Sequence, residues 1–150
     1  VSEAGMPAVA DPGSSVVRAA HALGIEVCPL TGPVSLMLAL AASGLNGQQF
    51  AFVGYVPQDS AERSQRLRAL EATALRLQQA QLLIETPYRN AALLAALVQT
   101  LQPGTRLAVA AGLGLPTQAL RSATVADWRQ HPGWAQALPL DRPAVFMLGG

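Results

Sequence analysis

The sequence predicts an α/β fold, and three observations carry that prediction. Short apolar runs alternate along the chain with longer stretches of helical periodicity. Pro and Gly punctuate most of the junctions between them. The composition, 51% hydrophobic and 13% charged with a mean hydropathy of +0.29, supports a packed core and excludes disorder. A chain of 150 residues makes an ordinary domain that buries roughly 68–70% of the surface its unfolded form exposes.

Val1-Ser2-Glu3-Ala4-Gly5 reads as the end of a strand entering a turn, and without an initiator methionine the chain reads as a fragment. Asp11-Pro12-Gly13 is turn chemistry, because Pro presets φ and Gly accepts positive φ. A helix is expected from Ser14 or Ser15, with Val16, Val17, Ala20 and Leu23 on one stripe and Gly24 just past its end. Ile25 to Leu30 reads as a buried strand containing Cys28. Gly32-Pro33 opens a second helix, apolar nearly all round and therefore expected between layers, and Gly44 stops it. Leu45 to Gln49 reads as a linker and Phe50 to Val56 as a strand.

Asp59 and Glu62 have the spacing of a capping box before a long helix with Leu67, Leu70, Ala74 and Leu77 inward and Arg63, Arg66, Arg68 and Arg76 outward. Gln81 to Glu85 is a strand, Thr86 to Arg89 a turn, and Asn90 the cap of a helix that Pro103-Gly104 ends. Arg106 to Ala111 is a strand, Gly112 to Thr117 a loop, Val125 to Gln130 a short helix and Ala144 to Leu148 the last strand.

Composition also removes function classes. One cysteine excludes a disulfide scaffold, and one cysteine with two histidines gives no recognisable zinc set. No apolar run is long enough to span a bilayer and no signal peptide is visible, so a cytoplasmic protein is expected. All ten Lys+Arg residues are Arg, yet the net charge is only +1, so any nucleic-acid contact needs a local patch. Gly112 and Gly114 lack the third glycine of a dinucleotide loop, and the serines lack a nucleophile-elbow setting. His21 and His131 read as surface or capping residues.

Two Pro-cornered segments remain over-specified for packing alone: Gly5-Met6-Pro7 with Asp11-Pro12-Gly13, and Glu85-Thr86-Pro87-Tyr88-Arg89. In α/β sheets, ligands bind beyond the carboxyl ends of strands, where such corners sit. Val1 to Gly13 resembles the V-S-D-A-G-T-P-x-I-S-D-P-G signature of the tetrapyrrole methylase superfamily. Within it, the ribosomal RNA small-subunit 2′-O-methyltransferases are the most similar branch. Pro29-Leu30-Thr31-Gly32-Pro33, Ala42-Ser43-Gly44-Leu45, the strand ending Gly54-Tyr55-Val56-Pro57, and Glu85 to Arg89 (similar to E-S-P-H-R) continue the resemblance in order.

The resemblance implies two α/β domains with S-adenosylmethionine bound in the cleft between them, usually in a homodimer and without a metal. Residues 1–47 would close the first domain and 48–150 would form the second. Gly5, Met6, Pro7 and Val9 fall on the corner that approaches the cofactor. Val34 and Ser35 fall on a second cofactor-contacting stretch, and Thr86, Pro87 and Tyr88 on the second-domain loop. Arg89 matches a cleft arginine, and Glu85 is the candidate base or orienting carboxylate, with a clasp to Arg89 as its alternative.

Met6 and Glu3 stand where the family usually has Thr and Asp, and Ala111-Gly112 where the rRNA enzymes have Arg-Glu. The resemblance implies S-adenosylmethionine-dependent methylation of RNA at a ribose 2′-oxygen, whereas the lost Arg-Glu pair leans towards another substrate. The alternatives are methylation of a tetrapyrrole or other small molecule, and a non-catalytic binding or dimerisation module of the same fold. The fragment by itself is expected to be inactive.

Overall fold

The computed structural model describes residues 5–150, so the expected strand end at residues 1–4 lies outside them. The chain forms two compact units, Val1–Leu38 and Ala39–Gly150. In chain order the elements are α1 (Ser14–Ala22), α2 (Ser35–Ser43), β1 (Phe50–Gly54), α3 (Ser60–Leu77), β2 (Ala80–Glu85), a 3₁₀ turn (Pro87–Arg89), α4 (Asn90–Thr100), β3 (Arg106–Ala111), β4 (Ala119–Thr124), α5 (Val125–Gln130), α6 (Gly133–Gln136) and β5 (Ala144–Gly149). No helix among the described residues is long and apolar enough to cross a membrane.

The second unit is a five-stranded mixed sheet in the order β1-β2-β5-β3-β4. β1 runs parallel to β2, while β5 lies antiparallel between β2 and β3, and β4 pairs antiparallel with β3. One face of the sheet presents Leu83, Val109, Phe146 and Leu148 to a core shared with Leu67 and Leu70 of α3, Leu93 and Leu97 of α4, and Val125 and Trp128 of α5. Burying each such side chain contributes about 1.5–3 kcal/mol. Leu82, Ala108, Ala110 and Met147 on the alternate positions are buried too. Leu45 packs on this second face: a Cβ placed on Gly149 would lie 3.2 Å from the Leu45 Cδ2. Burial on both faces is why these strands read as unbroken apolar runs.

Several expectations are corrected. Ile25 to Leu30 is not a strand, and Ile25, Val27, Leu30 and Cys28 are exposed. Extended backbone becomes a strand only beside a hydrogen-bonding neighbour, and no described residue of the first unit forms one. α1 forms at Ser14 as expected, but its apolar stripe buries nothing. α2 buries Leu36, Ala39 and Leu40 while Met37 and Leu38 stay exposed, so it is covered on one side rather than all round.

β1 ends at Gly54, whose φ of 71° shifts the register against β2 and stops the strand short of Val56. Asp59 caps α3 by accepting from the Ala61 and Glu62 amides, which is half of the expected box. Leu77, expected inward, is exposed where Gln78 turns left-handed at the end of α3. The same helix instead buries Glu71, whose Oε1 accepts from the Gln102 amide at 2.7 Å and the Thr105 hydroxyl at 2.5 Å. β4 and α6 have no counterpart in the sequence reading.

Candidate functional site

In the first unit, Gly5 and the Pro33-Val34 backbone meet. Gly5 has a φ of 122°, and a Cβ there would stand 2.5 Å from the Pro33 carbonyl oxygen and 3.7 Å from the Val34 Cα. Only glycine allows that approach. The loop after it closes through the Val9 amide to the Met6 oxygen and the Ala8 amide to the Pro12 oxygen, both at 3.3 Å. Ala8 and Ala10 are left-handed at φ 67° and 57°. Left-handed alanine costs about 1–2 kcal/mol per residue, and such strain concentrates at ligand sites.

Two stretches separated by more than twenty residues thus form one corner, with Met6, Pro7 and Val9 on its loop. Val34 accepts the Leu38 amide at 3.0 Å and stands at the head of α2. The Ser35, Leu36 and Met37 amides lie in the first helical turn, where no acceptor exists within the helix. Backbone donors beside a corner that lacks a side chain at Gly5 can serve anionic or hydroxyl groups.

In the second unit, β2 ends in a clasp. Glu85 Oε1 accepts from the Thr86 amide at 2.7 Å and the Thr86 hydroxyl at 3.2 Å, and pairs with Arg89 Nη2 at 3.0 Å. Arg89 Nε also donates to Thr86 Oγ1 at 3.1 Å, and its guanidinium lies 5.2 Å from the centre of the Tyr88 ring. Pro87 starts the 3₁₀ turn that carries Tyr88 into solvent. The carboxylate proposed from sequence as a base is therefore held by three donors on one oxygen, the arrangement of a clasp.

Asn90, expected as a helix cap, does other work. It is fully buried, and its Nδ2 donates to the Leu140 and Arg142 carbonyls at 3.0 and 2.9 Å, fastening the Tyr88-Arg89 corner to the 139–142 loop. Its Oδ1 is buried without a partner. Only its place directly after the Pro corner hinted at this. The β3–β4 connection is a tight turn, with the Gly112 amide on Pro143 O and the Leu115 amide on Gly112 O, both at 3.0 Å, and no helix following. Arg66, Arg68 and Arg76 form a solvated face on α3. His131 caps the end of α5, its Nδ1 lying 2.9 Å from the Asp127 carbonyl.

The chain belongs to the tetrapyrrole (corrin/porphyrin) methylase family, whose sequence model matches residues 1–128. Among individual proteins it is similar to the ribosomal RNA small subunit methyltransferase I of Pseudomonas aeruginosa, 35% identical over 85% of this chain and 45% of that protein. The protein of the same name from Neisseria meningitidis serogroup A is 37% identical over 85% of this chain and 42% of its own. The chain thus spans somewhat under half the length of these relatives.

Among solved structures, the methyltransferase CobJ superposes with a TM-score of 0.58 at 21% identity, covering 96% of this chain and 61% of that one. Uroporphyrin-III-C-methyltransferase from Thermus thermophilus gives 0.55 at 25% identity, covering 95% and 60%. A further structure of the Thermus thermophilus uroporphyrin-III methyltransferase, complexed with S-adenosylhomocysteine, gives 0.51 at 16% identity, covering 95% and 61%.

Proposed function

We propose that this chain is part of an S-adenosylmethionine-dependent methyltransferase that modifies RNA at a ribose 2′-hydroxyl, in a cytoplasmic homodimer. The observation that carries this reading is the 35–37% identity over 85% of the chain to proteins named as ribosomal RNA small subunit methyltransferase I. The complex of the Thermus thermophilus structure with S-adenosylhomocysteine supports the choice of cofactor.

When bound, S-adenosylmethionine supplies a methyl carbon made electrophilic by its sulfonium. The task left to the protein is positioning, which supplies about 7–11 kcal/mol when reactants are held in line. Gly5, Met6, Pro7 and Val9 form a corner free of side-chain bulk at Gly5 and, with the amides at the head of α2, after Val34 and at Ser35, would hold the polar groups of the nucleoside. In the second unit, Thr86, Pro87 and Tyr88 form a Pro-cornered loop after β2 to which the family resemblance assigns cofactor contact. Arg89 pairs with Glu85, which supports the clasp as the role of Glu85 over that of a base.

A second reading, methylation of a tetrapyrrole or another small molecule, is favoured by one observation. The turn at Ala111-Gly112 carries no charged side chain where the resemblance to the rRNA enzymes implies Arg-Glu. Calorimetric titration of S-adenosylhomocysteine into the folded chain tests the cofactor. Binding that Gly5→Ala weakens at least tenfold is the expected result, while absence of binding by a folded full-length protein containing this chain would leave the non-catalytic module. RNA binding with a steep salt dependence separates the two enzyme readings, because phosphate contacts release counterions and a tetrapyrrole carries no phosphate.

A further inference from the structure

We infer that Arg121, Trp134 and His131 form a contact site for single-stranded RNA, the guanidinium taking a phosphate and the exposed imidazole face stacking an unpaired base. This rests on the RNA reading above and names a surface for it away from either Pro corner.

Arg121 projects from the edge strand β4, Trp134 lies in α6, and His131 sits between α5 and α6. The His131 ring lies parallel to the Trp134 indole within 7°, with ring centres 4.4 Å apart. The Arg121 guanidinium stands 4.3 Å from the Trp134 ring centre. Beneath them the buried Trp128 meets Trp134 edge-on at 5.8 Å and anchors itself by donating from Nε1 to the Leu107 carbonyl at 2.9 Å. The imidazole is also fixed through Nδ1 at the Asp127 carbonyl, which leaves Nε2 as its remaining hydrogen-bonding atom. Arg121 and His131 are themselves exposed. The stack is ordered before any ligand arrives, which lowers the cost of binding.

The charge around it is what a polyanion needs. Among the described residues, Arg121 has no ion-pair partner, whereas Arg89 is taken by Glu85 and Arg142 by Asp141. Arg129 is committed to the Val98, Gln99 and Leu101 carbonyls. Between Arg106 and Gln136 the sequence has three arginines and one carboxylate, Asp127. That carboxylate accepts from the Thr124 hydroxyl at 2.6 Å. In a chain whose net charge is +1, the three Arg and one Asp of this segment give it +2 with His neutral. Unpaired RNA bases stack on His rings and Arg planes, and duplexes, whose bases are already stacked, do not.

The test is fluorescence anisotropy of a labelled single-stranded RNA oligonucleotide titrated with the chain across a range of salt concentrations. His131→Ala is expected to weaken binding about fivefold or more, the loss of one stacked base. Arg121→Gln is expected to flatten the slope of log K against log salt by about 0.7, one phosphate on a single strand. Arg121→Lys should restore that slope, since it keeps the charge and loses only the planar group. Thermal melts of each variant verify folding. If both variants bind as the parent does, with the same slope, the stack is only a latch for the β4 edge and the RNA reading stands without it. If the parent shows no salt-dependent RNA binding, the RNA reading and this site fall together.

Discussion

Gly5 lies so close to the Pro33 carbonyl oxygen that a Cβ on it would be 2.5 Å away. That contact joins the Pro-cornered loop to the head of α2 and makes the first unit's corner a single object. Gly5→Ala must move either the loop or the helix head, and at a φ of 122° it also strains its own backbone, a cost of about 1–3 kcal/mol. The expected outcome is at least a tenfold loss of S-adenosylhomocysteine affinity with the far-ultraviolet circular dichroism retained. Unchanged affinity would show that the corner does not hold the ligand.

Glu85 and Arg89 should behave as one unit. Glu85→Gln keeps an acceptor for Thr86 but removes the charge facing Arg89, and we expect a loss of about 1–2 kcal/mol in denaturant unfolding. Adding Arg89→Ala should cost much less than the sum of the two single changes. Additive effects would dissolve the clasp. A variant that kept its stability but lost methyl transfer by a hundredfold or more would return Glu85 to the role of base.

Glu71 ties α3 to the turn between α4 and β3. Glu71→Ala leaves the Gln102 amide and the Thr105 hydroxyl without their acceptor, and an expected loss of about 1–3 kcal/mol follows in urea midpoint measurements. Thr105→Val in the same background should then cost little.

Both capping carboxylates make the fold acid-sensitive. The Glu62 backbone amide at the start of α3 holds the Asp59 carboxyl below the usual carboxylate range, and the Thr124 hydroxyl does the same for Asp127 at the start of α5. A folded-state pKa below the unfolded one stabilises fully above the unfolded value, about 3.9, and that contribution disappears as pH falls through the folded value. Melting temperature should therefore drop as pH falls below about 4. Asp59→Asn with Asp127→Asn should flatten that part of the profile.

Much of this fold is legible in sequence wherever burial writes a pattern. β2, β3 and β5 are apolar on both faces and announce themselves as runs, and the α3 helix shows its stripe from Leu67 to Ala74. β4 escapes because Ala-Leu-Arg-Ser-Ala-Thr is a half-exposed edge strand, without the alternation or the apolar run that marks its neighbours. Ile25 to Leu30 misleads for the opposite reason: its residues suit a strand, but strands are made by pairing, which no local window contains.

The two corners are visible as Pro and Gly clusters, and the resemblance gave them a role. What joins Gly5 to Pro33, or Arg121 to Trp134, is tertiary geometry. Asn90 reads as a cap because its partners, the carbonyls of Leu140 and Arg142, lie fifty residues onward.

The strand order has a consequence for how the chain is made. β5, made after the other four strands of this sheet, lies in its middle and, among the described residues, bridges the β1-β2 pair and the β3-β4 pair. Until Ala144 to Gly149 emerge from the ribosome, the two pairs cannot share hydrogen bonds, and the inner edges of β2 and β3 stay open. A nascent chain stalled after Asp141 would expose both edges to other chains, so this sheet is complete only once β5 has been released.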